Sequence, residues 1–293
     1  MSTAHDAAAL TADATAAYHR RVQEAAAFVR ENIPSPLTLG LIVDTGRESL
    51  PDDLTIEAEW SVDEIPHYPD TGHSQTTLQL GSCGDASVLV LDGSLSLHDG
   101  YTPRQVAFPI RMLGEAGLEI LLFTNTAGSV ASEMTPADLV LLTDHINFQG
   151  ANPLVGPNVE EWGPRFPDMS EPYDPELRQI AERVALREGI ALQKGIYYAV
   201  LGPNLGTQAE YRMVQTLGAD LVGTGSVLEV IAARHMDLQV MTLSVVTDRC
   251  SPDFVEPVSA SNLADAMNSA RPSLRRLLSG IITALEGETE TTT

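Results

Sequence analysis

Seven short apolar runs recur along this chain, each closing on small or hydroxyl-bearing residues. They occupy residues 37–43, 88–91, 120–124, 139–143, 197–201, 221–223 and 240–245. Short apolar runs bounded by turn residues read as buried strands. Amphipathic stretches fall around and between them and read as helices, at 13–31, 103–116, 175–188, 207–217, 227–235 and 263–285. Asp13 is the expected N-cap of the first helix, which must stop before Pro34 and Pro36. Strands alternating with helices predict an α/β fold with a mixed, mostly parallel central sheet flanked by helices on both faces. A chain of 293 residues can bury one large core, and neither an internal repeat nor a long linker divides it, so a single domain is expected. Aromatics make up only 5%, which leaves Val, Leu, Ile and Ala to build that core. The expected organisation is an N-terminal tail and helix over 1–36, the α/β domain over 37–285, and a disordered acidic tail over 286–293.

Charge narrows the partners. The formal net charge is −23, and Lys194 is the one lysine. A surface this acidic repels nucleic acid and anionic membranes, and it suits a salt-rich, halophilic cytoplasm in which ions screen self-repulsion. Two cysteines, Cys83 and Cys250, are too few for a disulfide framework and agree with a reduced, cytoplasmic setting. The N-terminus shows no basic stretch leading into an apolar one, and no apolar run is long enough to span a bilayer. The seven histidines are not spaced as metal ligands, so no metal is expected. No Gly-x-Gly-x-x-Gly fingerprint follows the first strand.

In open α/β sheets, ligands bind beyond the carboxyl ends of strands. Five loops of small residues fall there: Thr45-Gly46, Asn125-Thr126-Ala127-Gly128, Gly202-Pro203, Gly223-Thr224-Gly225 and Thr247-Asp248. Small residues let backbone amides approach a ligand closely, although Gly and Thr after a strand also serve as plain turn formers. Five such loops together favour a site.

A longer pattern is more specific. Asp144-His145-Ile146-Asn147 is followed by Asn152-Pro153-Leu154, Gly156-Pro157-Asn158 and Arg165-Phe166-Pro167-Asp168-Met169-Ser170. Gly202-Pro203-Asn204-Leu205-Gly206, Gly223-Thr224-Gly225-Ser226-Val227-Leu228-Glu229 and Ser244-Val245-Val246-Thr247-Asp248 come behind. In order and spacing the chain, from about 37 to 285, resembles the trimeric purine nucleoside phosphorylases and their methylthioadenosine-cleaving relatives. The resemblance implies reversible phosphorolysis of a purine nucleoside to free base and ribose 1-phosphate. It also implies phosphate as co-substrate, no cofactor and a homotrimer. The barrier is an oxocarbenium-like sugar beside an increasingly negative purine, so the enzyme must stabilise the base, grip the ribose and hold an anion beneath it.

At the purine end, the resemblance assigns Thr247 and Asp248, with Asp standing for the family's Asn. An acid there can donate to N7 when protonated, or accept from a 6-amino group when ionised. Asp248 therefore leans towards 6-aminopurines, the alternative being a pair with Arg249. Leu205, Gly206 and Val222 complete the base pocket, with Gly206 in place of a base-gripping Glu and Leu205 in place of a Phe. Around the ribose, His98 replaces a Tyr and Thr224 a Met. Trp162 stands where the family's aromatic reaches a neighbouring subunit's ribose pocket, and interface packing is the equal alternative.

At the phosphate end, the resemblance assigns Thr45, Ser94, Ser96, Asn125, Thr126, Ala127 and Gly225, with His73 as a cationic or gating group or else a plain loop histidine. Ser94 and Ser96 replace an Arg and a His, and Gly225 replaces a Ser. Each lost charge-assisted bond is worth about 1.5–3 kcal/mol. Arg47 is a candidate replacement cation, with a surface pair to Glu48 the stronger expectation. Two other outcomes remain for such a site: a retired paralogue that binds nucleoside or base, or a hydrolase with Asp92 or Asp99 as base.

Overall fold

The computed structural model describes residues 11–33, 39–72, 76–251 and 259–289. Helix α1 (Ala12–Asn32) starts one residue earlier than expected because Thr11 is its cap. The Thr11 hydroxyl accepts the Ala14 N–H at 3.1 Å, and Asp13 lies in the first turn, where its charge opposes the helix dipole. The strands are β1 (Leu39–Val43), β2 (Thr55–Ser61), β3 (Thr77–Cys83), β4 (Ala86–Asp92), β5 (Ile120–Ser129), β6 (Leu139–Asn147), β7 (Leu192–Ala199), β8 (Leu221–Gly223) and β9 (Gln239–Arg249). The remaining helices are α2 (Pro103–Ala116), α3 (Pro175–Glu188), α4 (Gln208–Thr216), α5 (Val227–His235) and α6 (Ala260–Thr289). Helix α6 thus continues beyond residue 285, into the stretch expected as a tail.

The nine strands form one sheet in the order β2-β3-β4-β1-β5-β8-β7-β6-β9, and β9 returns to pair with β5. That last pairing closes β5, β8, β7, β6 and β9 into a barrel-like ring, with β1 to β4 extending from it. The sheet is mixed: β1–β4, β1–β5, β5–β9, β6–β7 and β7–β8 are parallel, and the other four pairings are antiparallel.

Period-two alternation sends side chains to two cores. On one face, Ile42, Leu89, Leu91, Leu121 and Phe123 pack against α1, α2 and α5. On the other, Leu41, Val88, Val90, Leu122 and Leu243 pack against α3 and α6. Leu121 and Leu122 are both fully buried, which is worth about 1.5–3 kcal/mol for each such side chain. The helices between them are held by their caps. Thr102 and Thr207 each form a capping box, with Gln105 and Glu210 respectively, and Asp174 caps α3.

Two strands have no counterpart in the seven apolar runs. Every residue of β2 retains solvent exposure, as an edge strand's can, and β3 is interrupted by Gln79 and Gly81. Strand β7 begins at Leu192, ahead of its apolar stretch, because Gln193 and Lys194 are paired to β6 along the solvent side.

Candidate active site

The parallel register aligns the ends of β1, β4 and β5, since Val43 faces both Asp92 and Thr124. The ladder continues one step further. The Asp44 N–H donates to the Thr124 carbonyl at 3.0 Å, and the Gly93 N–H donates to the Val43 carbonyl at 3.0 Å. Strands β8 and β9 join from the other side, with Gly128 opposite Val222 and Asp248. Two of the five expected loops are not loops. Asn125–Gly128 and Thr247-Asp248 are the paired last stretches of β5 and β9, which run on past residues 124 and 245, while Thr45-Gly46, Gly202-Pro203 and Thr224-Gly225 follow β1, β7 and β8.

At the expected phosphate end, the Thr45 and Thr124 hydroxyls lie 2.9 Å apart. Ser49 donates to the Thr45 carbonyl at 3.0 Å and fixes that loop. Ser94 donates to Asp44 Oδ1 at 2.9 Å, and a Cβ added to Gly225 would lie 3.5 Å from Asp44 Oδ2. Asp44 keeps a solvent-exposed face yet is crowded by protein on its other sides, as in a cleft. That desolvation pushes its carboxyl above the usual range, against the pull of the Ser94 bond and of His98. Ser96 precedes the turn Leu97–Asp99 and makes no capping bond with its side chain. His73 lies outside the described residues.

Asn125, expected beside the phosphate, has its side chain engaged within the chain. It is 1% exposed, its amide donates to the Ser226 hydroxyl at 2.8 Å, and its carbonyl accepts from Ser244 at 2.5 Å. Its side chain ties β5 to β9 and to the start of α5, and Thr126 and Ala127 beside it are paired with Val245 and Val246 of β9. Arg47 is also committed elsewhere. It pairs with Glu59 at 2.8 Å and Asp92 at 3.2 Å, rather than with Glu48, and donates to Thr77 at 3.0 Å. Asp92 is therefore bound up with a cation, which removes it as a free base.

The ribose candidates meet. Gly202 has φ +69°, and an added Cβ would lie 2.9 Å from Thr224 Cγ2 and 3.9 Å from His98 Cβ. Only glycine accommodates both that backbone and that approach. His98 Nε2 is 3.8 Å from Asp99, while its Nδ1 is buried without a protein partner.

At the expected purine end, the Thr247 hydroxyl donates to Asp248 Oδ1 at 2.8 Å, with the Ala127 carbonyl at 3.3 Å as a second acceptor. Cys250 Sγ donates to Asp248 Oδ2 at 3.2 Å. Burial, then the Asp248 charge, pushes the Cys250 thiol up to about 12, so it keeps its proton. Both carboxylate oxygens are thus acceptors pinned by the chain's own donors. A cavity of about 280 Å³ is lined by Val222, Gly202, Gly206, Tyr211 and the stacked pair Phe148–Tyr198, and its wall residue Tyr211 is linked to Asp248 through Cys250. Leu205 is 62% exposed on the loop before α4.

Trp162 lies apart from these groups. It is 7% exposed, its Nε1–H donates to Glu115 at 2.6 Å, and its ring packs edge-on to Tyr18 and His19 under the Arg111 guanidinium. The indole is held within its own chain, between α1 and α2. Asp44, Tyr211 and Cys250 contact the candidate residues Ser94, Gly206 and Asp248, and none of the three has a role assigned from the sequence. Their only signal was proximity to Thr45, Gly206 and Asp248. Among the described residues, no three His, Cys, Asp or Glu side chains converge as metal ligands would, and no helix is long and apolar enough to cross a membrane.

The family model of the phosphorylase superfamily matches residues 38–283. Purine nucleoside phosphorylase 1 of Bacillus subtilis is 36% identical over 269 residues, covering 91% of this chain and 99% of that protein. Purine nucleoside phosphorylase of Bos taurus is 34% identical over 263 residues, covering 87% and 90%. A crystal structure of schistosoma purine nucleoside phosphorylase in complex with hypoxanthine superposes with a TM-score of 0.84 at 30% identity, covering 90% of this chain and 96% of that one. The Schistosoma mansoni enzyme in complex with adenosine superposes with a TM-score of 0.83. The chain belongs to the phosphorylase superfamily and, within it, to the purine nucleoside phosphorylases.

Proposed function

We propose that this chain carries out phosphorolysis of a purine nucleoside, with 6-aminopurines preferred. The glycosidic bond breaks as a phosphate oxygen bonds the anomeric carbon, and the electron pair of the broken bond leaves with the base. The observation that carries the reading is the pinned carboxylate of Asp248, near the end of β9 and linked through Cys250 to Tyr211 in the cavity wall. With Thr247 and Cys250 donating to it, Asp248 meets the base as an acceptor, which suits an exocyclic amino group. His98 and Thr224 frame the sugar. Hydroxyls of Thr45, Ser94 and Ser96, the backbone of Thr126 and, from outside the described residues, His73 receive the phosphate. Hydroxyls bind an anion as neutral donors, so phosphate affinity is expected to be weak and salt-sensitive. Family membership supports a homotrimer, and the acid excess supports a saline cytoplasm. Light scattering in high salt tests the first.

The test of activity is base release from adenosine, inosine, guanosine and 5′-methylthioadenosine in high salt, with and without phosphate. Phosphate-dependent release that Asp248→Ala abolishes is the expected result. Release indifferent to phosphate would mean hydrolysis, and ligand-induced stabilisation without release would mean a binding protein.

A further inference from the structure

The acceptor end of the cleft carries a carboxylate. Asp44 follows β1 directly, one oxygen on the Ser94 hydroxyl and the other towards Gly225. Its neighbour Thr45 and its partner Ser94 are two of the hydroxyls proposed to receive phosphate, so an oxyanion held there lies against Asp44. Two negative charges in contact there repel one another, and the protein surface screens them less than bulk water does. The titratable groups facing Asp44 give little relief. They are His98 and Asp99 from the turn after β4, Tyr197 from β7 and Glu229 from α5. Among the described residues, no arginine or lysine is one of them. A proton placed between the two acids removes the repulsion, as when two carboxylates share one site.

We infer that Asp44 selects the acceptor by sharing a proton with it: the subsite takes an oxyanion that brings its own proton at neutral pH, phosphate or arsenate, and rejects sulfate, which brings none. This rests on the phosphorolysis reading of the same cleft. The acidic P–OH donates to the Asp44 carboxylate. The Thr45–Thr124 hydroxyl pair holds two protons and uses one internally, which leaves one to donate to another oxygen of the ion. Sulfate can use the second donor but offers nothing to Asp44, and its charge stays opposed to the carboxylate.

The test titrates inorganic phosphate and sulfate calorimetrically into the full chain near pH 8, with chloride as the supporting salt. Wild type, Asp44→Asn and Asp44→Ser are compared, and base release is read on the same samples. Wild type is expected to bind phosphate at least about tenfold more tightly than sulfate, with sulfate gaining up to about tenfold per pH unit on acidification as Asp44 itself takes up the proton. In either variant a neutral donor replaces the carboxylate, so the preference falls to within about twofold and sulfate competes with phosphate. The second variant guards against a folding defect in the first. An unchanged preference in both folded variants would overturn the inference, as would equal binding of the two ions by wild type. The expected binding pattern with base release blind to phosphate would remove the phosphorolysis reading and leave the role of Asp44 standing. Binding of neither ion by any of the three proteins would overturn both.

Discussion

The ring of Tyr211 fills the space into which a side chain at position 206 would project. A Cβ added to Gly206 would lie 2.5 Å from Tyr211 Cε1 and 2.9 Å from Cζ. The Tyr211 hydroxyl accepts the Gly206 N–H at 3.1 Å and bonds Cys250, which in turn donates to Asp248. The glutamate expected of the family at this position has thus given way to a tyrosine arriving from the adjoining helix. Burial raises the Tyr211 phenol well above its usual range, so it keeps its proton.

Restoring the acid alone should therefore fail on packing. Gly206→Glu is expected to cost about 1–3 kcal/mol in urea unfolding, the usual range for overpacking. It should leave the adenosine-to-inosine ratio of kcat/KM unchanged. Combining it with Tyr211→Ala opens the space, and the ratio should then move towards inosine. A single variant as stable as wild type would show that the ring gives way freely.

Trp162 separates a structural role from a functional one. Its indole is enclosed by Tyr18, His19, Arg111 and Glu115 of the same chain. Trp162→Ala should lose about 3–5 kcal/mol of stability, as large aromatic truncations in cores do. Nucleoside KM per folded protein should stay near that of wild type. A raised KM without loss of stability would return the residue to a neighbouring subunit's ribose site.

The comparison between sequence and structure turns on where information is local. The apolar runs at 39–43, 120–124 and 240–245 are interior strands buried on both faces, and such strands show in the sequence as continuous apolar runs. Strand β2 does not, because an edge strand paired on one side needs no apolar face. The site divides in the same way. Thr45 and Thr224 lie just past β1 and β8 and were legible as loop ends, whereas Asp248 is still paired within β9, beyond the apolar run that marked it. Asp44 directly precedes the quoted Thr45-Gly46, but its proximity to Gly225 spans the sheet and has no local trace. Tyr211 lies within a helical pattern, where an aromatic reads as core. The closed ring through β5 and β9 is likewise a long-range pairing.

Arg47 offers a check on the absent phosphate cation. Its guanidinium is held by Glu59, Asp92 and Thr77 on an exposed surface, while Ser94 bonds Asp44. Exposed ion pairs contribute at most about 1 kcal/mol, and less in high salt. Arg47→Gln should therefore change stability by less than about 1 kcal/mol and leave the phosphate KM unaltered. A several-fold rise in that KM would mean that the arginine swings into the cleft during turnover.

Glu229 should govern part of the pH dependence of stability. It sits on α5, 6% exposed, and burial pushes its carboxyl from 4.5 up to about 8. A hydrogen bond to its own backbone pulls it down in part, and the Asp44 charge pushes it further up. Between those two values the folded chain keeps a proton that the unfolded chain has lost. The contribution is fully present below the unfolded value. It is lost as pH rises through the folded one, at up to roughly 1.4 kcal/mol per pH unit. Glu229→Gln carries no such proton, so the variant should gain on wild type steadily from about pH 5 to pH 8 and then run parallel to it. Self-repulsion from the net charge of −23 acts on both proteins and cancels in the difference. Urea unfolding of the pair at several pH values in high salt reads that difference directly. A gap that stays constant across the window would mean that Glu229 is ionised inside the fold, with a partner that neutralises it.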